Sequence, residues 1–264
     1  MKKYLVIGNP INHSLSPKLH NYWFKINNIE AIYDKKKLNE EDIENLILEI
    51  KKEKINGVNV TIPFKNTIIS FLDELSPEAE STQSVNTIYF KNKKVIGDNT
   101  DIDGFEGSLK NVNYDFKNKK AFILGSGGVV SSIIFALEKI GVTEIFVSNR
   151  TKSKAENLKK IFKNLKVLDW GEIPNFDIII NATSLGLNKD DKIDLDLSKV
   201  GNNKFFYDVI YNPEQTNFLK FGKELGNLTE NGKMMFVYQA QKSFQKWHKI
   251  LPEINNEVMD LLND

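Results

Sequence analysis

Residues 119–150 read KKAFILGSGGVVSSIIFALEKIGVTEIFVSNR. An apolar run, a glycine turn, an apolar helix pattern and a second apolar run follow one another over about the ~30 residues that a strand–helix–strand unit needs. Two strands joined through a helix pair in parallel, so this stretch alone commits its part of the chain to an α/β sheet. Gly125, Gly127 and Gly128 follow the strand and open the helix, where backbone N–H groups can approach a pyrophosphate closely. Val130 occupies the third glycine position of the G-x-G-x-x-G pattern. A merely tight turn is the alternative, and the flanking strand and helix favour dinucleotide binding over it.

The second strand ends in SNRTKSK. A site for NAD usually carries an acidic residue there, for the ribose hydroxyls. Asn149, Arg150, Thr151 and Lys154 instead offer donors and positive charge, which suit the 2′-phosphate of NADP; the bland reading is an exposed basic turn capped by Thr151. Of the 36 lysines and arginines only Arg150 is an arginine. A planar guanidinium kept at one position in so lysine-rich a chain favours the phosphate role.

The chain has 264 residues, enough for two domains of ordinary size. Ahead of residue 102, KYLVIGN, AIYDKKKL and GVNVTIP read as strands, SPKLHNYWFKINN and NEEDIENLILEIKKE as helices, and SVNTIYFKNKKVIGDN as a hairpin turning at KNKK. The helices between strands predict mainly parallel pairing. After residue 150, KVLDW, FDIIINATS and KFFYDVIY supply further strands. GKMMFVYQAQKSFQKWHKILPE reads as a helix with Phe236, Ala240, Phe244, Trp247 and Leu251 on one stripe. Spacing does not say which domain that stripe covers.

A net charge of +1 gives no electrostatic reason for a nucleic acid or an acidic membrane as partner. Runs such as DKKK read as solvated faces. No segment approaches the ~20 apolar residues of a membrane span, the N-terminal apolar run is too short for a signal peptide, and the absence of cysteine removes disulfides and thiolate metal sites. A cytoplasmic protein is expected. His13, His20 and His248 lack zinc-ligand spacing, so no metal is expected.

In GVNVTIPFK, Pro63 is placed to start a helix over FKNTIISFLDEL, with Lys65 in its first turn. The backbone dipole disfavours a cation there by up to about 1 kcal/mol. In NHSLSP, Ser14 and Ser16 face one side of an extended segment. Ser16 before Pro17 is also a good N-cap, and a carboxylate at that helix end would meet both hydroxyls. In GDNTDIDGF, Asp98, Asp101 and Asp103 precede a helix that Asp101 is suited to cap.

Taken in order, GNPINHSLSP, GVNVTIPFK, SVNTI, GDNTDIDGF, GSGGVV, SNRTKSK, NATSLG, YNP and NGKMMFVYQAQKSFQKW span essentially the whole chain, and the set resembles the shikimate dehydrogenases. The resemblance implies an N-terminal α/β substrate-binding domain, residues 1–101, completed by a C-terminal helical segment, 233–264, and a Rossmann-like NADP-binding domain, 102–232. It implies NADPH-dependent, reversible reduction of 3-dehydroshikimate to shikimate, a step toward the aromatic amino acids, by a monomer or homodimer. Ser14, Ser16 and Tyr211 then hold the substrate carboxylate, and Thr61, Lys65, Asn86, Asp101 and Gln239 surround the ring hydroxyls. Lys65 and Asp101 form the catalytic pair, Asp101 offsetting the helix dipole at Lys65. Gly125, Ser126, Gly127, Gly128, Val129, Asn149, Arg150, Thr151 and Lys154 fall on the cofactor side, with Gly232 at the nicotinamide. Two departures stand out: Val129 and Val130 replace small residues, and Lys154 stands where many relatives carry arginine. The alternatives are a quinate/shikimate dehydrogenase using either dinucleotide, and a non-catalytic NADP redox sensor.

Overall fold

The apolar run after Lys3 forms an interior strand of the first of two six-stranded sheets in a computed structural model that describes residues 1–188 and 190–263. The chain divides into two compact units, Met1–Gly104 with the chain from Val237 onward, and Phe105–Phe236. The expected last residue of the C-terminal segment, Asp264, lies outside the described residues.

The first unit runs β1 (Lys2–Gly8), α1 (Ser16–Ile26), β2 (Ala31–Lys37), α2 (Ile43–Lys51), β3 (Gly57–Val60), β4 (Glu74–Leu75), α3 (Pro77–Thr82), β5 (Thr87–Lys91), β6 (Lys94–Asp98) and the start of α4 (Asp101–Leu109). Its sheet order is β2-β1-β3-β5-β6-β4. Pairing is parallel among β1, β2 and β3 and between β4 and β6, but antiparallel between β3 and β5 and between β5 and β6. The sheet is parallel among the strands that helices separate, as expected, and antiparallel around the hairpin. The β5–β6 hairpin turns on Asn92 and Lys93, both at positive φ, as a two-residue turn matched to strand twist requires.

The second unit runs β7 (Lys120–Leu124), α5 (Val130–Lys139), β8 (Glu144–Ser148), α6 (Lys152–Leu158), β9 (Lys166–Leu168), β10 (Ile178–Asn181), β11 (Phe205–Asp208), α7 (Asn217–Glu224) and β12 (Leu228–Glu230). All its pairings are parallel, in the order β12-β11-β10-β7-β8-β9. This is the doubly wound order, with its switch point between β7 and β10. Strands covered on both faces read as continuous apolar runs, and Ile178–Asn181 and Phe205–Asp208 are buried throughout.

The chain ends with α8 (Lys233–His248) and α9 (Asn256–Leu261). The boundaries expected at 101 and 233 fall at the first residues of α4 and α8, whereas the division comes one turn into each helix. No helix among the described residues is long and apolar enough to cross a membrane.

Two apolar layers sandwich the first sheet. On one face Leu46, Ile47 and Ile50 of α2, with Phe64 and Ile68, pack on Leu5, Ile7, Val58, Val60 and Ile88. On the other, Phe244 of α8 meets Trp23 and Phe24 of α1 at 5.7 and 5.6 Å, and Trp247 lies 4.9 Å from Tyr4. A side chain at Gly57 would run into the Trp247 ring at 2.6 Å, so that glycine makes room for α8. Leu251, expected on the same stripe, lies past the end of α8 and is exposed.

His20 sits inside this aromatic layer, stacked on Tyr33 at 4.3 Å with 2° between the ring planes. It is fully buried, and neither ring nitrogen has a hydrogen-bond partner. Burial, aided by the charge of His248, pulls its pKa down to about 3. Burial likewise takes His248 down to about 4. Below the ordinary histidine pKa the unfolded chain binds a proton that folded His20 refuses. The folded state therefore loses stability as pH falls from about 6.5 toward 3, at up to about 1.4 kcal/mol per pH unit for this group. His20→Phe should remove that slope and leave the contribution of His248. Urea midpoints at pH 7, 6 and 5 should show the variant gaining on the parent by roughly 1 kcal/mol per unit below pH 6; a pH-independent difference would contradict it.

Candidate active site

The chain leaving β3 reaches Lys65 through a turn, not through a helix. Val85 N–H donates to the Lys65 carbonyl at 2.8 Å, and Ile69 N–H reaches back only to Asn66, at 3.3 Å. The carbonyl that an α-helix would give to Ile69 is thus taken by a residue twenty positions on. A short 3-10 turn, Thr67–Phe71, comes next, and Lys65 precedes it. The helix expected over FKNTIISFLDEL is absent, and so is the dipole expected to oppose Lys65.

The dipole that matters belongs to α4. Asp101 is its first residue, where a carboxylate is favoured. Asp101 does not cap the helix. Asn99 Oδ1 accepts the Asp101 N–H at 3.1 Å, while Asn99 Nδ2 donates to Thr82 Oγ1 at 2.9 Å and to the Ser84 carbonyl at 3.0 Å. With the loop before α4 fixed in this way, Asp101 Oδ2 accepts from Lys65 Nζ, and the two side chains are only 7% and 12% exposed.

Asn86, between α3 and β5, is the hub of the surroundings. Its Oδ1 accepts Thr100 N–H at 2.7 Å, and its Nδ2 donates to Asp101 Oδ1 at 2.9 Å, Thr100 Oγ1 at 3.0 Å and Gln239 Oε1 at 3.4 Å. Beneath it lies a buried set of hydroxyls, Thr87, Thr100 and Ser243, within 2.8 to 3.1 Å of one another. Asn59 Nδ2 donates into this set, to Ser243 Oγ at 2.9 Å and Thr87 Oγ1 at 3.1 Å, and its Oδ1 accepts from Tyr33 at 2.7 Å. Asp98, buried at the end of β6, accepts from Ser76 Oγ at 2.9 Å and pairs with Lys246 Nζ at 2.6 Å. Burial works against the Lys246 ammonium, but the Asp98 carboxylate outweighs it and raises its pKa.

Thr61 and the two serines border the same unit. Thr61 N–H donates to the Ile7 carbonyl at 2.9 Å, and a side chain at Gly8 would strike the Thr61 methyl. Ser14 Oγ lies 3.2 Å from Ser16 Oγ and accepts Ser16 N–H at 3.3 Å. Ser16 is not the N-cap: the helix starts on it, Leu15 holds the cap position and no side chain makes a capping bond. Nearby, Tyr33 is buried, and burial raises the pKa of its phenol well above the ordinary value.

In the second unit Gly125 has φ +109°, and a Cβ there would meet the Ala182 carbonyl oxygen at 2.8 Å. The turn therefore packs against the end of β10, at the switch point. A Cβ at Gly127 would meet nothing within 4 Å, so an open cradle faces Ser126, Gly128 and Val129 at the start of α5. This fits a dinucleotide pyrophosphate. Val130, at the third glycine position, turns into the core. Arg150 and Lys154 are exposed and make no ion pair among the described residues. Asn149 Nδ2 donates to the Thr151 carbonyl at 2.8 Å, and Thr151 holds the N-cap position of α6 without a capping bond.

Asp208, at the end of β11, is buried, makes no ion pair among the described residues, and accepts from Thr216 at 2.7 Å, Ile210 N–H at 3.0 Å and Asn181 at 3.1 Å. Burial pushes its pKa up to about 6. Tyr211 stacks on Phe236 at 4.7 Å. Gly232 N–H donates to the Ile210 carbonyl at 3.1 Å, and a Cβ on Gly232 would lie 2.1 Å from the Val209 oxygen.

Tyr33 supports the site from outside the ordered motifs, and Asn59, Thr87, Thr100, Ser243 and Lys246 lie within them without any chemistry that marks them as support. Asn59 and Ser243 had one signal, a polar residue inside an apolar run or stripe. No group of histidine, aspartate and glutamate among the described residues could hold a metal.

Residues 6–88 match the family model for the shikimate dehydrogenase substrate binding domain, and residues 108–206 match that for shikimate / quinate 5-dehydrogenase. A shikimate dehydrogenase (NADP+) of Pelagibacter ubique strain HTCC1062 is 60% identical over 99% of either chain. Among solved structures, the shikimate dehydrogenase of Aquifex aeolicus superposes with a TM-score of 0.91 at 34% identity, covering 100% of this chain and 98% of its own. The shikimate 5-dehydrogenase of Thermus thermophilus, in complex with NADP(H) and shikimate, gives 0.89 at 29% identity, covering 100% and 99%.

Replacing Asn86 tests the support of the pair directly. Asn86→Ala leaves the buried Thr100 N–H without its acceptor and Asp101 Oδ1 without its amide donor, while Lys65 still holds Oδ2. Each buried group left unpaired costs about 1–3 kcal/mol, so denaturant unfolding should show a loss of roughly 2–4 kcal/mol. A loss below about 0.5 kcal/mol, the size of an ordinary surface change, would mean that the network does not hold the loop.

Proposed function

This chain belongs to the shikimate dehydrogenase family, and from that premise we propose that its Lys65–Asp101 pair carries the reversible, NADPH-dependent reduction of 3-dehydroshikimate to shikimate. The observation that supports this most is the pair itself. Two distant segments bring an ammonium and a carboxylate together, largely shielded from water, beside the Asn86 amide and Gln239. A surface ion pair would be worth about 0–1 kcal/mol and would not require such support.

The bound cofactor supplies the hydride to the substrate's carbonyl carbon. Charge then develops on the carbonyl oxygen, and the Lys65 ammonium stabilises it and donates the proton. Asp101 fixes the lysine's position, and Asn86 fixes Asp101. In shikimate oxidation the same pair takes the proton back. Thr61, Asn86 and Gln239 hold the ring hydroxyls, and Ser14 and Ser16, with Tyr211, hold the carboxylate.

The open cradle at Gly127, bounded by Gly125, Ser126, Gly128 and Val129, supports pyrophosphate binding. Asn149, Arg150, Thr151 and Lys154 would grip the 2′-phosphate, with Gly232 at the nicotinamide through its backbone. Asn149 and Thr151 are already joined in one turn, and Arg150 and Lys154 carry no competing ion pair among the described residues.

The direct test is a spectrophotometric assay of the purified protein with shikimate and NADP, with quinate and NAD as comparisons; no turnover of shikimate would overturn the proposal. Lys65→Met keeps most of the stem's bulk and removes the charge and the donor. It should lower turnover by ~10²- to 10⁴-fold and leave NADPH binding intact. Near-normal turnover in that variant would refute the mechanism even if the activity stood.

Cofactor choice rests on Arg150. The 2′-phosphate is the difference between the two dinucleotides, so Arg150→Ala should weaken NADP by roughly 2–3 kcal/mol and NAD far less. Titrations of both cofactors decide this, and equal weakening would point to adenine stacking instead.

A further inference from the structure

Ser14 and Ser16 are neutral, whereas a substrate carboxylate brings a full negative charge. Hydroxyls replace the hydrogen bonds that the anion loses with water but supply no opposite charge. The β2 strand reaches the same loop with a cation. Side chains alternate along a strand, so Tyr33 and Lys35 share a face. Tyr33 donates to Asn59, and Lys35, next along on that face, donates from Nζ to the Asn12 carbonyl at 2.6 Å. Parallel pairing of Val6 with Lys35 and of Gly8 with Lys37 sets this end of β2 beside the segment that leaves β1 for Ser14.

Lys35 is exposed and makes no ion pair among the described residues. Its neighbour Asp34 accepts the Lys35 backbone N–H, at 2.7 Å, rather than the ammonium. The positive charge is therefore anchored two residues from Ser14 and left unneutralised.

We propose that Lys35 is a positioning residue for the carboxylate end of the substrate: it holds the Asn12 carbonyl, and with it the Ser14–Ser16 segment, and it attracts the anion. This rests on the assignment of Ser14 and Ser16 made above. Because the charge stands in solvent, its pull is modest and screened by salt. A clamp without charge would be insensitive to salt and to the charge of the substrate.

The test compares wild type, Lys35→Met and Lys35→Arg on shikimate and on its uncharged carboxamide, from low to high ionic strength, with Ser14→Ala alongside. Lys35→Met should lower kcat/KM for shikimate by ~3- to 10-fold at low salt through KM, with kcat unchanged. The loss should shrink as salt rises, be missing with the carboxamide, and be restored by Lys35→Arg. No loss, or a loss equal for both substrates at every salt concentration, would overturn the proposal. Unaltered KM in Ser14→Ala beside a salt-dependent loss in Lys35→Met would instead remove the serines from the carboxylate site and leave Lys35 in it.

Discussion

A buried amide has more hydrogen-bonding groups than any one neighbour can satisfy, and Asn86, just before β5, resolves this by bonding to two other segments at once. Its oxygen takes Thr100 N–H, and its nitrogen serves Asp101, Thr100 and Gln239. Each of these groups would be costly to leave unpaired away from water. The arrangement of the loop before α4, the start of β5 and the face of α8 is therefore coupled: moving one breaks bonds to the others. Lys65 meets Asp101 in one geometry because Asp101 has little freedom to be elsewhere.

The same accounting explains why a helix from the end of the chain is part of the first unit's polar centre. Gln239, Ser243 and Lys246 share one face of α8, at spacings of four and three. They meet Asn86, the Asn59–Thr87–Thr100 hydroxyl set and Asp98 respectively. Phe244 and Trp247 supply the adhesion, at about 1.5–3 kcal/mol for a fully buried apolar side chain, and the polar contacts fix the register. Apolar packing tolerates a small slide or rotation, whereas three directional contacts at different heights do not.

Local chemistry was legible in the sequence wherever it was local in fact. The hairpin at Asn92 and Lys93, the strand–turn–helix around Gly125 and the apolar runs of β10 and β11 depend on neighbouring residues and were readable from them. The turn at Lys65 was not, because it is decided by Val85, which captures a carbonyl from twenty residues away. Ser16 has the composition of a cap, yet the helix starts on it and Leu15 holds the cap position. Strands as short as Glu74–Leu75 and Leu228–Glu230 exist only by pairing with a neighbour and leave too few residues for a period to show. Of the candidate site, the residues with chemistry of their own were readable from the ordered motifs. Those that position them, Asn59, Thr87, Thr100 and Ser243, were not, because a buried hydroxyl or amide looks in sequence like any other polar residue.

Buried charge in the first unit is sparse. The deeply placed carboxylates, Asp98 and Asp101, each face a lysine from a different segment. Around them every contact is an amide, a hydroxyl or a backbone group, which orients without adding net charge. Removing water strengthens an ion pair's attraction but also raises the cost of each ion, so burial by itself contributes little stability and makes loss of one partner expensive. A pair held that way gains its value in chemistry rather than in folding. Under the mechanism proposed above, an ammonium already oriented beside a developing negative charge leaves little solvent to rearrange, which is the condition under which a fixed charge lowers a barrier most.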